Sequence, residues 1–217
     1  MDRDAPNREA EPATGSDIGA TKHAICPKWH NARRARTQPL PPAAPWGRGG
    51  ERHRQTWYDS LTGLPNRGLF MERLRYITDC TRRQSVDHAV LLLDVDDFKG
   101  INTHFGHDAG DYVLIEFAER VRPRLRRADT LARIGSDEFA ILLERPGGYE
   151  GVWRVAQRIR QALRSPFSTQ GVTLHCRACA GASIGHLPCH RPDDLLRQAD
   201  QALCCAQQSG KACFAVV

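Results

Sequence analysis

The sequence has no hydrophobic run long enough to cross a membrane. Its longest purely aliphatic stretch is residues 89–93, whereas a transmembrane helix needs about 20 apolar residues. The chain also does not open with a basic segment followed by an apolar one, which argues against a secretory signal. Hydrophobic residues make up 41% of the 217 residues and charged residues 26%, a composition typical of globular proteins.

A strong charge excess is also missing from most of the chain. The net charge is +6, but residues 1–55 hold 10 basic against 6 acidic residues, and residues 56–217 hold 21 against 19. The first 55 residues carry seven of the 13 prolines and have no sustained apolar period. They are predicted to form a disordered Arg/Pro-rich arm, either a solvated linker or a contact to an anionic surface. No sensory domain or heptad stalk is expected before Trp57.

Residues 56–217 show the periodicities of a single α/β domain. Asn66 is suited to cap a first helix, and residues 89–93 predict a strand buried on both faces. Apolar stripes predict helices around residues 113–121 and 152–163, and a final helix from about Pro192 to a C-terminal cap at Gly210. Residues 131–134 and 138–143 predict a hairpin, and residues 172–176 and 180–187 predict further strands. The expected fold is a sandwich with a central mixed five-stranded sheet flanked by helices.

Carboxylates follow the buried strand. Asp94, Asp96 and Asp97 stand at its carboxyl end, where α/β proteins usually place ligands. A second acidic pair, Asp137-Glu138, begins the return strand of the hairpin. If these strands are neighbours, Asp94 and Asp137 converge on a hard cation such as Mg²⁺. Each cluster taken alone also suits a turn or a helix N-cap.

The hairpin turn has two interpretations. Gly135 followed by Ser136 fits a two-residue type II′ turn, which requires a positive φ at its first position. The exposed backbone amides there would approach a phosphate closely. The alternative is a plain hairpin.

The cysteines resemble a metal site only by spacing. Cys176 and Cys179 have C-x-x-C spacing, but residues three apart on a strand point to opposite faces. The eight cysteines of the chain are therefore interpreted as buried free thiols in a reducing, cytoplasmic compartment rather than as zinc ligands.

Five segments together resemble the GGDEF family. They are DSLTGLPNR (59–67), DVDDFKGIN (94–102), FGHDAGD (105–111), RIGSDEF (133–139) and the closing helix from Ala199 to Gly210. They occur in the family's order and spacing across residues 56–217. The resemblance implies a fold similar to that of nucleotidyl cyclases and polymerase palm domains.

The resemblance also implies an activity, the condensation of two GTP into cyclic di-GMP with release of pyrophosphate. Each subunit of a head-to-tail homodimer would hold one GTP. Asp94 and Asp137 would hold two Mg²⁺ (or Mn²⁺), assisted by the carbonyl of Val95. Asp137 would accept the proton of the 3′-hydroxyl, with Glu138 beside it.

The family's substrate contacts carry over to matching positions. Asn102 and Asp111 would bind the guanine edge, and the Phe98 backbone amide and Lys99 would bind the triphosphate. His107 either supports this pocket or is a packed histidine without a ligand role. The substrate-binding set implied by the resemblance is Phe98, Lys99, Asn102, His107, Asp111, Gly135, Ser136 and Lys211.

Three departures from the family pattern fall on the phosphate end. Ser136 stands where the signature has its second glycine, Gln207 replaces a lysine, and Lys211 replaces an arginine. A lost charge-assisted contact weakens binding about ten- to a hundredfold. Two functions follow, a diguanylate cyclase or a catalytically degenerate module that binds GTP or cyclic di-GMP and regulates a partner. A nucleic-acid binder ranks below both because it leaves the ordered carboxylates unexplained.

An R-x-x-D motif precedes the hairpin. The motif from Arg126 to Asp129 is separated from Gly135 by five residues and resembles the family's inhibitory site, and Arg158 matches a secondary arginine of that site. The resemblance implies product inhibition by cyclic di-GMP. The alternative is a solvated ion pair at an arginine-rich helix end.

Overall fold

The computed structural model describes residues 57–84, 87–169, 172–185, 191–210 and 213–217. The predicted arm, residues 1–55, lies outside this part, as does Lys211. Among the residues described, no helix is both long and apolar enough to span a bilayer.

A mixed five-stranded sheet forms the centre, as predicted. Its strand order is β2-β3-β1-β6-β7, and only β6 and β7 run parallel. The strands are β1 (His88–Val95), β2 (Thr130–Arg133), β3 (Glu138–Glu144), β6 (Ala178–Gly185) and β7 (Phe214–Val216), while β4 (Phe167–Thr169) and β5 (Val172–Leu174) form a separate hairpin. The helices are α1 (Arg67–Gln84), α2 (Phe98–Phe105), α3 (His107–Val121), α4 (Gly148–Ala162) and α5 (Pro192–Gln208), with a 3₁₀ turn at Arg122–Arg124.

The central strand β1 divides two hydrophobic cores. Leu91 and Leu93 belong to one cluster, and Val90 and Leu92 belong to the other. Successive side chains of a strand point to opposite faces, so a continuous apolar run fits a sheet covered on both sides. The prediction of a strand buried on both faces is confirmed.

The helices cover the two faces in pairs. Buried side chains of α1 and α5 share one cluster with Val90 and Leu92, and those of α3 and α4 share the other with Leu91 and Leu93. The stripes that predicted α3 and α4 are buried throughout. This arrangement leaves the carboxyl end of β1 between the two layers.

Two elements differ from the sequence-based expectation. Helix α2 was not predicted, because it is only eight residues long and none of them is fully buried, although Phe98 and Ile101 pack partly buried against one core. The short strand β4 was also missed. Both lie next to predicted elements and leave the order of the central sheet unchanged.

Glycine at position 181 permits a close approach between helix and sheet. A Cβ on Gly181 of β6 would overlap the backbone nitrogen of Leu203 and the backbone carbonyl of Ala199 on α5. No side chain can be accommodated between these backbones without a shift of the helix. Helix α5 therefore lies directly on β6, which brings its last turn close to the end of the neighbouring strand β1.

Candidate active site at the carboxyl end of β1

The pairing of β1 with β3 brings the two acidic segments together. Asp94 lies opposite Glu138 in the antiparallel register. The backbone amide of Val95 donates to the carbonyl of Asp137, at 3.2 Å. The expectation that these strands are neighbours is confirmed, and four carboxylates, those of Asp94, Asp96, Asp137 and Glu138, lie around one strand end.

The electrostatics of this cluster act most strongly on Asp94. Burial disfavours the charged form of its carboxylate, and the negative charges of Asp137, Glu138 and Asp96 disfavour it further. Together they raise the pKa of Asp94 to about 6. A cation bound to this carboxylate would oppose both effects.

The closing helix supplies a donor to the same carboxylate. The side-chain amide nitrogen of Gln207 donates a hydrogen bond to Oδ2 of Asp94, at 2.6 Å. This bond favours the charged form of Asp94 and partly offsets the increase in its pKa. The sequence placed Gln207 at a phosphate position, but it did not indicate the contact with Asp94.

The loop between β2 and β3 is not the expected type II′ turn. Gly135 is absent from the residues with positive φ, whereas a type II′ turn requires a positive φ at this position. The backbone amides of Ile134 and Gly135 both donate to the carbonyl of Glu138, at 2.9 and 3.3 Å. Two residues thus oppose one, as in a β-bulge, and Asp137 belongs to the loop rather than to β3.

Contacts within this loop involve its serine. The Ser136 hydroxyl donates to Oδ1 of Asp137, so the side chain that replaces a glycine occupies one carboxylate oxygen of a predicted catalytic residue. The Ser136 carbonyl accepts a hydrogen bond from the Arg133 guanidinium, at 2.6 Å. The loop is therefore tied to the end of β2.

Arg133 in turn joins the loop to the opening motif. Its guanidinium contacts both carboxylate oxygens of Asp59, each at 3.2 Å, and its backbone amide donates to the carbonyl of Pro65, at 2.9 Å. Asp59 also accepts hydrogen bonds from the backbone and hydroxyl of Thr62. Burial opposes ionisation of Asp59, but the Thr62 hydrogen bonds and the Arg133 charge outweigh it and lower its pKa.

Sequence reasoning gave no role to Asp59 or Arg133. Both stand in motifs that were recognised, and the Asp59–Thr62 spacing is that of a side-chain-capped turn. No local pattern connects two residues 74 positions apart.

The predicted guanine-binding residues lie on two consecutive helices. Asn102 is on α2, and Asp111 is an exposed residue on α3. A Cβ at Gly110 would overlap Oδ1 of Asn102, so the glycine leaves room for the Asn102 side chain in this position. Oδ1 of Asn102 is buried and has no hydrogen-bond partner among the described residues. An unsatisfied buried acceptor costs about 1–3 kcal/mol, which a donor from a ligand would recover.

The remaining predicted substrate residues surround the start of α2 and α3. Phe98 is half-buried at the first position of α2, and Lys99 beside it is exposed. His107 is exposed at the first position of α3, so the interpretation of a packed histidine is wrong. Lys211 lies outside the described residues.

The donor set suits a hard cation that also binds substrate. In the described part of the chain, no group of three or more histidine, cysteine or acidic side chains is placed to hold a metal ion. Asp94 and Asp137 nevertheless offer carboxylate oxygens, and the mutual repulsion that raises the pKa of Asp94 favours a positive ion. Mg²⁺ is usually bound by one or two carboxylates together with substrate phosphates, so the residues present fit such an ion.

The R-x-x-D residues line a second depression. Arg126, Asp129 and Arg158 surround a cavity of about 440 Å³ together with Glu144 and Trp153. Asp129 is not paired with an arginine side chain there. Its carboxylate accepts the backbone amides of Arg126 (2.8 Å) and Glu144 (3.3 Å).

A half-buried acidic group, Glu144, shares this depression. Burial raises the pKa of Glu144, the charge of Asp129 raises it further, and Arg145 and Arg73 act in the opposite direction. The two guanidinium groups of Arg126 and Arg158 are exposed. The structure thus brings the three residues of the predicted inhibitory site to one cavity.

The cysteines only partly match the expectation. Cys176 packs in one core and Cys179 in the other, so the prediction that they face opposite sides of the sheet is confirmed. Both are buried free thiols, and burial, with a smaller contribution from the charge of Asp96, raises the pKa of Cys176 to about 12. Cys204 and Cys205 are exposed, because they point away from the sheet on α5, so the expectation of burial is wrong for them.

Most of the chain matches the model of one protein family. Residues 56–213 match the model described as "Diguanylate cyclase, GGDEF domain". The chain belongs to the GGDEF family. Diguanylate cyclases of this family bind GTP and cyclic di-GMP and generally use divalent metal ions.

Two curated proteins of Pseudomonas aeruginosa illustrate the range of relatives. The diguanylate cyclase TpbB is 37% identical over 159 residues, which cover 72% of this chain and 36% of TpbB. The cyclic di-GMP phosphodiesterase NbdA is 38% identical over 157 residues, which cover 72% of this chain and 19% of NbdA. The chain thus spans about a third or less of the length of these two relatives.

A solved structure confirms the fold. The GGDEF domain of TpbB (also named YfiN) is 35% identical and superposes with a TM-score of 0.71, covering 73% of this chain and 93% of that one. The matched portion is therefore a GGDEF domain in both sequence and architecture.

The raised pKa of Asp94 predicts a pH-dependent effect of its removal. The folded protein binds this proton more tightly than the unfolded chain, whose carboxyl has its ordinary value of 3.8, so the contribution of Asp94 to stability falls as pH rises from about 4 through 6. Without divalent cations, we expect Asp94→Asn to melt above wild type at pH 7.5, and the difference to vanish near pH 4.

The matched control is Asp200→Asn, which removes an exposed carboxylate from the same helix that carries Gln207. Thermal melts of the three proteins across this pH range, in the presence of a chelator, are the measurement. An Asp94→Asn variant that is less stable than wild type at pH 7.5 would contradict the electrostatic argument.

Proposed function

We propose that this chain is a diguanylate cyclase that condenses two GTP into cyclic di-GMP, releases pyrophosphate and is inhibited by its product. The observation that carries the proposal is the pairing of β1 with β3, which puts Asp94 beside Asp137 and Glu138. The family supplies the reaction, and these residues are the ones that the reaction requires.

Two Mg²⁺ ions are proposed at the carboxylates of Asp94 and Asp137, with the Val95 carbonyl as an additional ligand. When bound, such ions lower the pKa of a hydroxyl nucleophile and neutralise charge on the attacked phosphate. The raised pKa of Asp94 supports this assignment, because its carboxylate is partly buried and lies among three further negative charges.

Asp137 is proposed to accept the proton of the 3′-hydroxyl. Its position in the loop, one residue before β3, leaves its carboxylate only partly buried. Glu138 follows it and is exposed. A carboxylate is a suitable general base where its environment keeps it ionised and within reach of the hydroxyl.

Asn102 and Asp111 are proposed to bind the guanine, and the first residues of α2 are proposed to bind the triphosphate. Asn102 supports this assignment through its buried acceptor without a partner. Phe98 would donate its backbone amide, and Lys99 would place an exposed ammonium group near the terminal phosphates. His107 would border this pocket from the first turn of α3.

Catalysis is proposed to need two copies of the chain, because each site holds one GTP and the product joins two. A homodimer that faces the two strand ends towards each other would satisfy this requirement. The use of GTP also supports a cytoplasmic location.

The reaction has a direct test. Purified protein incubated with GTP and Mg²⁺ is expected to form cyclic di-GMP, and Asp137→Asn is expected to lower the rate by about a hundredfold or more. Product is measured by chromatography, and GTP binding is measured on the same samples. A folded dimer that binds GTP and forms no product would overturn the cyclase assignment.

A second candidate function is a catalytically degenerate GGDEF module that binds GTP or cyclic di-GMP and regulates a partner. Two contacts favour it. Ser136 occupies an oxygen of Asp137, and Gln207 occupies an oxygen of Asp94. Both bonds would have to be exchanged for ligand contacts before the site could act.

Variants of Ser136 distinguish the two functions. Ser136→Ala removes the bond to Asp137 but keeps a Cβ, and Ser136→Gly removes both. If the hydroxyl limits the reaction, both variants should raise turnover by up to about tenfold. If the side-chain volume obstructs the phosphate, only Ser136→Gly should do so. Unchanged turnover in both would show that Ser136 does not restrain the site.

Inhibition is assigned to the cavity of Arg126, Asp129 and Arg158. We expect Arg126→Ala to weaken cyclic di-GMP binding by about tenfold or more, because a charge-assisted contact to phosphate or base would be lost. Arg127→Ala is the matched control, since Arg127 is an exposed neighbour that does not line the cavity. Calorimetric titration with cyclic di-GMP measures the affinity of each variant. An unaltered affinity in Arg126→Ala would show that the R-x-x-D match is accidental.

A further inference from the structure

A basic cleft lies at the C-terminal end of α4. Arg160 belongs to the last turn of that helix, Arg164 follows its end, and His175 and Arg177 lie in the segment that joins β5 to β6. We call these four residues the basic cleft. They surround a cavity of about 260 Å³ whose remaining lining is Leu163, Cys176 and Ala178.

The lining of the cleft carries positive charge and no acidic side chain. The carboxylate of Asp96 lies outside the lining but acts electrostatically on one lining residue, Cys176. Within the ranges that the structure describes, none of the three guanidinium groups has an ion-pair or hydrogen-bond partner. Some arginines outside the cleft are paired, for example Arg75 with Glu72 and Arg197 with Asp194.

The helix end accounts for only part of this arrangement. The C-terminus of a helix carries a partial negative charge that favours a basic residue in its last turn, which explains Arg160. It does not explain Arg177, which approaches from another element. Two separate segments thus place guanidinium groups around one concave surface.

We propose that the basic cleft binds a small phosphate anion. Guanidinium groups bind phosphate oxygens in a bidentate manner, and an anion would relieve the repulsion among the three arginines. The cavity is smaller than the roughly 300–1,000 Å³ typical of drug-sized ligands and smaller than the R-x-x-D cavity. A cavity of about 260 Å³ has room for inorganic phosphate or pyrophosphate.

The position of the cleft connects it to the candidate active site. The carbonyl of Arg177 accepts a hydrogen bond from the backbone amide of Asp96, at 2.9 Å. Asp96 begins the turn between β1 and α2, and Ala178 pairs with Val95 in the sheet. The basic cleft shares no residue with the active site or with the R-x-x-D cavity, so its occupancy can be measured independently of either.

The experiment uses the full chain with a chelator present, so that no divalent ion bridges the anion to the carboxylates. Pyrophosphate and inorganic phosphate are titrated separately by calorimetry, with sodium chloride at equal ionic strength as reference. We expect saturable binding that is tighter for pyrophosphate, because it has more negative charge. Binding of phosphate alone would assign the smaller ion and still support the cleft.

Variants locate the site. Arg160→Gln with Arg177→Gln is expected to weaken pyrophosphate binding by about a hundredfold, with about tenfold from each arginine. The matched control, Arg75→Gln with Arg197→Gln, removes the same net charge from paired positions and should leave the affinity within about threefold of wild type. Asp94→Asn should also retain binding, which separates this cleft from the active site.

Folding does not obscure the result. The side chains of Arg160 and Arg177 are exposed, so the double variant should melt at or above the wild-type temperature without anions. Equal pyrophosphate affinity in wild type and the cleft variant would overturn the proposal. The proposal would also be overturned if sodium chloride gave the same calorimetric response as pyrophosphate with the wild type. It would likewise be overturned if the control variant lost as much pyrophosphate affinity as the cleft variant.

Discussion

The register between β1 and β3 is the constraint on which the candidate site depends. It puts Asp94 opposite Glu138 and hydrogen-bonds Val95 to the backbone of Asp137. Hydrophobic side chains on both faces of these strands determine that register, since a slip of one residue would exchange the faces. The packing energy of two cores therefore holds together carboxylates that repel one another, and the raised pKa of Asp94 reflects that repulsion.

The signature loop is held from the opposite side by the opening motif. Arg133 contacts Asp59 through its side chain, Pro65 through its backbone amide and the Ser136 carbonyl through its guanidinium. A movement of the segment around Asp59 would therefore be transmitted to the residue that precedes Asp137. This path consists of one partly buried ion pair and two hydrogen bonds, and it links the opening motif to the candidate site.

Periodicity predicted the parts of the fold that bury apolar side chains. Each of these patterns involves residues that are close together in the sequence. The predicted stripes of α3 and α4 and the continuous apolar run of β1 are all confirmed. Helix α2 was missed because it is short and none of its side chains is fully buried, and the loop at Gly135 was misjudged because the carbonyl of Glu138 accepts hydrogen bonds from two backbone amides. Motifs located the acidic residues, but the partners of Asp94 and Arg133 are 113 and 74 residues away, and no local pattern specifies them.

Gln207 contacts the carboxylate of Asp94 but does not neutralise its negative charge. A lysine at this position would place a positive charge within hydrogen-bonding distance of Asp94, whereas the amide of Gln207 donates to the carboxylate without neutralising it. The negative charge of the acidic cluster is then not compensated by residue 207. This charge lowers the stability of the fold without a cation and strengthens the attraction of the site for a cation from solution. The same substitution removes a cation that would bind phosphate. In the proposed cyclase the two consequences would oppose each other, because a cation would be attracted more strongly to Asp94 while the protein would contact the triphosphate less directly.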